Sequence, residues 1–443
     1  MTSTSPASPP PMADLGPTRR LSDLLKRPVV DSGGESLGRL SDVIVRPRGS
    51  DYPLVTSIVV AIGGGREVFV PLEKVVGFDG EVIKLTTAKL DLRQFERRGG
   101  EVLLDADVLG HRLIDVENAR LVRAADLQLY HDGGEWVLSG VDTRRRARRL
   151  FGLLGPERSA DEPGDDSGFR DWHDLEWLIG HVGSNVQRGP FARVRRLKPA
   201  QIADLLEEAS KNEETEILDR VHADPELEAD VFEELDEDLA TRLLGARTDD
   251  DIAAVLGRMR ADDAADAVAE LPQQRRQPVL DKLPPAQRAK VLTLLGFNPT
   301  SAGGLMGVDY VALPAAMKVS DALAEIRTST TLQPEALTSV HAIDAEGSLC
   351  GVARLVTLVQ SDQDRTLMDV SDTDPVRVGA DTDVMDVAVL MSDYNLITIP
   401  VVDDERHMLG VITVDDVLEV TLPDDWRRRE AAEPPDARHG DAR

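Results

Sequence analysis

The stretch "NPTSAGGLMGVDYVALP", residues 298–314, separates two different sequence patterns and is here termed the join. Apolar residues recur every twelve positions before it, and a longer duplicated motif follows it. The adjacent Gly303 and Gly304 permit backbones to approach more closely than residues with a Cβ would allow. We therefore expect the join to be a tightly packed hinge between a helical region and a second kind of domain, anchored by Leu305 and Met306.

The helical region, residues 190–297, is predicted from the twelve-residue period. Each unit presents an apolar i, i+1, i+4 stripe that is too short to bury itself, so neighbouring helices must stack as in an α-solenoid. Pro272 and Pro284 fall where a new helix would start. One column of the period consists of Phe232, Leu244, Leu256, Val268, Leu280 and Leu292.

The sequence after the join is duplicated. "VHAIDAEGSLCGVARLVT" (340–357) corresponds to "IPVVDDERHMLGVITVDD" (399–416). Each version reads as two strands joined by a turn and followed by the start of a helix, with an extended segment and another helix before them. We expect two α+β domains, a first copy over 298–366 and a second copy over 367–424.

The first third of the chain is rich in β-branched segments, such as "LVTSIVVAI", that are separated by glycine-containing turns. A degraded version of the pattern follows 84 residues later. We expect tandem small β-barrels, the first barrel over 21–98 and the second barrel over 99–155. The remaining segments are predicted to be a disordered leader (1–20), a polar linker (156–189) and a polar tail (425–443).

The net charge of −29 is unevenly distributed along the 443 residues. Residues 156–443 hold 59 Asp and Glu against 29 Lys and Arg, whereas residues 1–155 are almost balanced. A strongly acidic surface repels phosphate backbones and attracts cations. We therefore expect no nucleic-acid partner for the acidic part of the chain.

Composition also bears on location and chemistry. The longest apolar runs are far shorter than the roughly 20 residues that a membrane helix needs, so we expect a soluble protein without a transmembrane segment. The single cysteine, Cys350, excludes an intrachain disulfide and fits a cytoplasmic protein, which could also lie peripherally at the inner face of the membrane. No arrangement of nucleophile, base and cofactor loop recurs, so we expect no enzyme and treat His173 and His181 as ordinary histidines.

Asp262, Asp263 and Asp266 form a group of three carboxylates within five residues of the helical region. Asp262 and Asp266 are i, i+4 neighbours, so their like charges cost a few tenths of a kcal/mol that a bound cation would remove. The alternative is structural, because Asp at a helix start can also be an N-cap.

Two parts of the chain resemble known domain families. "KRPVVDSGGESLGRLSDVIV" (26–45) resembles the opening phrase of PRC-barrel domains, most of which are adaptors. The duplicated copies resemble a pair of CBS domains. In that family a GxxTxxD-like phrase can bind adenine nucleotides, and the second copy has it as Gly410, Thr413 and Asp416. The alternative is that Thr413 and Asp416 cap a helix.

The order of helical region, join and CBS pair resembles the cytosolic part of the MgtE magnesium-transporter family over residues 190–424. The resemblance implies a Mg²⁺ sensor, in which Mg²⁺ joins acidic faces of the helical region and the CBS pair. The implied ligands are Asp262, Asp263 and Asp266 on one side, Asp415 and Asp416 on the other, and the carbonyl of Gly303.

From this resemblance we expect a Mg²⁺-responsive regulatory protein that forms a homodimer through its CBS pair and couples the cation level to a protein partner. One alternative is a detached cytosolic component that docks on a separate membrane transporter subunit. A second alternative is an adenine-nucleotide sensor.

Overall fold

The computed structural model describes residues 18–49, 51–89, 91, 93–132, 134–144, 169–178, 193–329, 332 and 334–422. These residues belong to two compact units that divide between Asp236 and Glu237, inside the predicted helical region. The predicted tail, His181, and most of the predicted leader and linker lie outside the described residues.

The first unit begins with strands, as the β-branched segments predict. A short helix, α1 (Leu21–Leu24), and a π-helical turn (Leu104–Val108) interrupt them. The strands are β1 (Thr18–Arg20), β2 (Pro28–Val30), β3 (Ser36–Arg48), β4 (Asp51–Ile62), β5 (Arg66–Pro71), β6 (Ile83–Lys84), β7 (Val102–Leu103), β8 (Arg112–Asp115), β9 (Arg120–Arg123), β10 (Asp126–Asp132), β11 (Glu135–Asp142), β12 (Phe169–Asp171) and β13 (Leu175–Trp177).

The strand-rich region is confirmed, but the two predicted barrels do not form separate sheets. Within the described residues, one sheet has the order β1-β10-β11-β4-β3-β2-β6, in which β11 of the second barrel meets β4 of the first at Val137 and Leu54. A single apolar cluster runs from Leu21 to Leu175. The physical reason is size, because small segments bury a smaller fraction of their surface than larger domains do and gain stability by sharing a core.

Two segments expected to be unstructured contribute strands to this fold. β1, from the end of the predicted leader, pairs antiparallel with β10. From the predicted linker, β12 pairs with β11 and β13 pairs with β8. The linker segment carries Trp172 and Leu175, which are 3% and 0% exposed, so its apolar side chains suffice to extend the sheets despite the polar residues around them.

The helical region shows the predicted period. The first unit contains α2 (Pro199–Glu208), α3 (Lys211–Val221) and α4 (Pro225–Glu233), and the second unit contains α5 (Glu237–Gly245), α6 (Asp249–Leu256), α7 (Ala261–Glu270), α8 (Gln273–Leu280) and α9 (Pro285–Leu294). In the second unit each helix packs on its second neighbour, α5 on α7, α6 on α8 and α7 on α9. The predicted column is buried except Leu292, which is 48% exposed because α9 is followed by the join instead of another helix.

The duplication is confirmed by two sheets of the same design. Each has a short strand parallel to a central strand that pairs antiparallel with the next, in the orders β14-β15-β16 and β17-β18-β19. The elements are α10 (Ala302–Leu305), β14 (Ala312–Pro314), α11 (Val319–Thr328), β15 (Ser339–Ile343), β16 (Leu349–Arg354), α12 (Leu355–Gln360), α13 (Leu367–Val370), β17 (Val378–Gly379), α14 (Val384–Tyr394), β18 (Thr398–Val402), β19 (Met408–Thr413) and α15 (Val414–Thr421).

The join docks on the second copy, although in sequence it belongs to the predicted first copy. The Ala302 N–H donates to the Thr382 carbonyl at 2.7 Å. Gly307 and Val411 exchange both backbone hydrogen bonds, at 3.0 and 2.9 Å. Met306 is fully buried, as an anchor should be, whereas Leu305 is only half-buried.

We predict that Gly304→Ala destabilises the second unit by about 1–3 kcal/mol, because overpacking forces the backbone to shift. A Cβ at this position would lie 2.4 Å from the Asn298 carbonyl oxygen, which is backbone and cannot swing away. Calorimetric unfolding of the full chain measures the change. Gly379→Ala, where a Cβ meets nothing within 4 Å, is the matched control, and equal shifts for the two variants would contradict the argument.

Candidate metal site

Helix α7 carries three of the predicted ligands in its first two turns. Its N-cap is Arg260, whose side chain makes no capping bond, so Asp262 and Asp263 lie inside the first turn and not at the cap. Carboxylates in a first turn are stabilised by the positive end of the helix dipole. Asp266 follows one turn later, and its side chain is exposed.

Asp416 of the second copy lies in the first turn of α15 and is 7% exposed. One carboxylate oxygen, Oδ2, accepts hydrogen bonds from the Thr413 backbone N–H at 2.9 Å and from the Thr413 hydroxyl at 2.8 Å. The pair is a capping box that satisfies donors at the start of α15. The predicted capping role of these two residues is thus present.

Arg260 lies between α7 and α15. Its Nε donates to Asp263 Oδ2 at 2.6 Å, and its Nη1 donates to Asp416 Oδ1 at 3.1 Å. A guanidinium thus joins the helical region to the second copy where the resemblance implies Mg²⁺. Sequence reasoning missed Arg260, although its i, i+3 spacing from Asp263 was a usable signal.

Asp262 and Asp266 lie close to other carboxylates, and these negative charges affect their pKa values. Burial raises the pKa of Asp262, Arg260 opposes that increase, and Asp416 adds to it. Desolvation by the surrounding helices, with the charges of Asp262, Glu237 and Glu270, raises the pKa of Asp266 to about 6. Because Asp266 is exposed, solvent screens part of this repulsion.

Glu237 and Glu270 were not predicted as part of the group. The charge of Glu270 is the largest cause of a raised pKa of Glu237. Glu270 continues the i, i+4 series of Asp262 and Asp266, so sequence spacing could have found it. Glu237 begins α5, and only the packing of α5 on α7 brings it to the group.

The other predicted site residues have different surroundings. Asp415 is exposed in the first turn of α15. The Gly303 N–H donates to the Ala380 carbonyl at 2.8 Å, and a Cβ on Gly303 would lie 2.7 Å from the Phe297 ring. Gly410 packs against Met306 in the same close manner. The structure therefore groups Asp262, Asp263 and Asp416 around Arg260 and places Asp266 beside them.

Another group of possible ligands lies on the hairpin turn between β18 and β19. Asp403, Glu405 and His407 each offer an atom within 4.8 Å of the others. The His407 Nδ1 lies 2.9 Å from an Asp403 oxygen, and this contact raises the pKa of His407. Sequence reasoning did not single out these residues.

His173, which was expected to be an ordinary histidine, hydrogen-bonds Asp171 and packs against Tyr52.

We predict that Asp266→Asn raises the stability of the second unit at pH 7 without divalent cations. The folded pKa of about 6 exceeds the ordinary 3.8, so the stability contributed by Asp266 is complete below pH 3.8 and is lost as the pH rises through 6. Allowing for screening, we expect about 0.5–1 kcal/mol at pH 7 and no difference near pH 4. Urea unfolding at both pH values measures it. Asp250→Asn, whose carboxylate pairs with Lys282, is the control, and a similar gain there would contradict the prediction.

Family models match three parts of the chain. The model of the MgtE intracellular N domain matches residues 197–300, that of the CBS domain matches 367–422, and that of the PRC-barrel domain matches 17–92. No helix of the described ranges is long and apolar enough to cross a membrane.

Curated relatives share part of the chain. A protein of Thermus thermophilus named "Magnesium transporter MgtE" is 37% identical over 144 residues, which are 32% of this chain and 32% of that protein. A protein of the same name from Enterococcus faecalis is 29% identical over 134 residues, 30% of this chain and 29% of that protein. The alignments thus span about a third of the curated relatives' length.

Solved structures with similarity include the soluble part of a magnesium transporter, with a TM-score of 0.48 and 24% identity over 52% of this chain and 89% of that chain. The cytosolic domain of the Mg²⁺ channel MgtE in complex with ATP has a TM-score of 0.48 and 29% identity over 51% of this chain and 92% of that chain. In chain order, the family models thus match a PRC-barrel domain, an MgtE intracellular N domain and a CBS domain.

Proposed function

We propose that this chain is a Mg²⁺-responsive regulatory protein in which Mg²⁺ binds carboxylates of α7 that face the second copy. The observation that supports the proposal is the crowding of Asp262 and Asp266 with Asp416, Glu237 and Glu270. The naming of the relatives as magnesium transporters points to the same cation.

The carboxylates around Asp266 have the chemistry that a hard divalent cation prefers, although within the described residues only Asp403, Glu405 and His407 already hold their ligand atoms within 4.8 Å of one another. Mg²⁺ takes oxygen ligands and keeps several waters, so carboxylates spread over neighbouring helices suit it. Asp262, Glu237 and Glu270 each repel Asp266, whereas Asp263 and Asp416 already share the charge of Arg260. Mg²⁺ would remove the repulsion near the contact of α7 with α15, and its loss would weaken that contact. A partner that recognises this arrangement would then respond to the Mg²⁺ level.

We expect millimolar Mg²⁺ to slow amide hydrogen exchange over 261–270 and 414–421 together, beyond the effect of Na⁺ at matched ionic strength. A concentration of about ten times the Kd corresponds to roughly tenfold slower exchange, because a ligand stabilises the state that it binds. The double variant Asp262→Asn, Asp266→Asn should lose this response.

Asp386→Asn is the matched control, since it removes an exposed carboxylate from α14 outside the group. A Mg²⁺ effect that Na⁺ reproduces, or that survives in the double variant, would refute the proposed site.

A homodimer through the duplicated copies is supported by exposed apolar side chains. Met385 and Val389 on α14 are 59% and 55% exposed, and Leu418 on α15, which packs on α14, is 44% exposed. Large apolar side chains exposed on neighbouring helices are typical of interaction sites. A second copy of this chain would cover it.

We predict that Val389→Glu shifts the full chain from dimer toward monomer, because a charge would have to be buried in the interface. Sedimentation equilibrium should show at least a tenfold weaker dimer. Val76→Glu is the control, since Val76 is 68% exposed in the first unit. A wild-type protein that is monomeric at all concentrations would contradict the homodimer.

The two alternatives have different support. Docking on a separate membrane transporter subunit rests on the names of the relatives, and co-purification with a membrane protein would favour it. Adenine-nucleotide binding by Gly410, Thr413 and Asp416 has a structural obstacle. Asp416 is only 7% exposed and both of its oxygens already accept hydrogen bonds, so ribose hydroxyls would compete with Thr413 and Arg260 for the carboxylate.

A further inference from the structure

The contact between Arg260 and Asp416 joins two elements that are 156 positions apart in the chain. The side chains are only partly accessible to solvent, 23% for Arg260, 23% for Asp263 and 8% for Asp416. Charge pairs that are shielded from water are screened by salt much less than exposed pairs. This contact is therefore of a different kind from the exposed surface ion pairs of the chain.

The requirement for a cation at this point comes from Asp416. Its carboxylate is buried, and only Oδ2 is used by the capping box. A buried carboxylate without a partner is strongly destabilised, so Oδ1 needs a positive charge or a donor. Arg260 meets that need.

Arginine suits this position better than lysine. The planar guanidinium presents several donors in a fixed fork, so it can bond carboxylates of two different elements at once. Here Nε serves Asp263 on α7 and Nη1 serves Asp416 on α15. A lysine ammonium is a point charge on a flexible stem and would hold the two elements less firmly.

We propose that Arg260 is a tethered cation that holds α7 against α15 in the absence of Mg²⁺, and that its charge weakens Mg²⁺ binding by the neighbouring carboxylates. The second part rests on the proposed function, whereas the first part does not. The helical region and the second copy then stay in contact without Mg²⁺. Mg²⁺ reinforces it only at concentrations high enough to overcome the repulsion of the guanidinium.

The first part is tested by hydrogen exchange of the full chain in EDTA. Arg260→Gln should accelerate exchange over 261–270 and 414–421 by about tenfold, which corresponds to roughly 1.4 kcal/mol. Arg260→Lys should fall between Gln and wild type. Arg288→Gln is the matched control, since it removes the same charge from the helical region at a pair with Asp281. Unchanged exchange in Arg260→Gln would overturn the tethered cation.

A loss of folding is distinguished by a second variant. If Arg260→Gln accelerates exchange throughout the chain, including the strands of the first unit, Asp263→Asn replaces it. This variant removes the negative charge from the Nε contact and leaves the capping box of Thr413 and Asp416 intact. Local acceleration in α7 and α15 supports the proposal, and wild-type exchange in these helices overturns it.

The second part is tested by calorimetric titration with Mg²⁺ alone. Arg260→Gln should bind Mg²⁺ about tenfold more tightly than wild type, because a repelling charge is removed, whereas Arg260→Lys should match wild type. A merely structural role would weaken binding in the Gln variant, so weaker or equal binding overturns this part. If no variant binds Mg²⁺, the proposed function and the second part fail together, while the exchange in EDTA still decides the first part.

Discussion

The two oxygens of the Asp416 carboxylate bind different partners. The contact between the helical region and the second copy depends on this arrangement. One oxygen completes the cap of α15, and the other accepts a hydrogen bond from Arg260. A change of charge at this point therefore affects both a local helix start and a long-range contact. The two effects separate only when the change is made at Arg260 or Asp263, which take no part in the cap.

Periodic and duplicated features of the fold were predictable from the sequence. The twelve-residue period recurs in the first residues of α4 to α9, Pro225, Glu237, Asp249, Ala261, Gln273 and Pro285. The glycine pair of the join was correctly assigned to close packing, because a Cβ on Gly304 would overlap the Asn298 carbonyl. These features follow from short-range sterics and apolar spacing, which a sequence displays directly.

The remaining features depend on contacts between distant residues. Glu237 joins the acidic group only because α5 packs on α7, and a period alone does not say which neighbour a helix touches. β10 and β11 of the second barrel belong to the sheet of the first, where Val137 pairs with Leu54, although the internal repeat favoured separate sheets. Arg260 was overlooked because only the residues between Asp262 and Asp266 were considered. Arg260 precedes the helix that carries them.

The acidic residues of α7 do not form one uniform cluster. Asp263 shares a guanidinium, whereas Asp266 lies among other carboxylates and has a raised pKa. Asp263 and Asp266 are three residues apart on one helix, yet the first faces a positive charge and the second faces negative charges. The net charge of a region is therefore a poor guide to where a cation would bind.

The path of the join has a mechanical consequence. Chain order places the first copy directly after the helical region, yet the backbone from Ala302 to Gly307 is hydrogen-bonded to the second copy before β14 enters the first. A movement of α9 would therefore be transmitted to the second copy before it reached the first. Within the described residues, the order in which a displacement spreads is therefore the reverse of the order in which the copies are encoded.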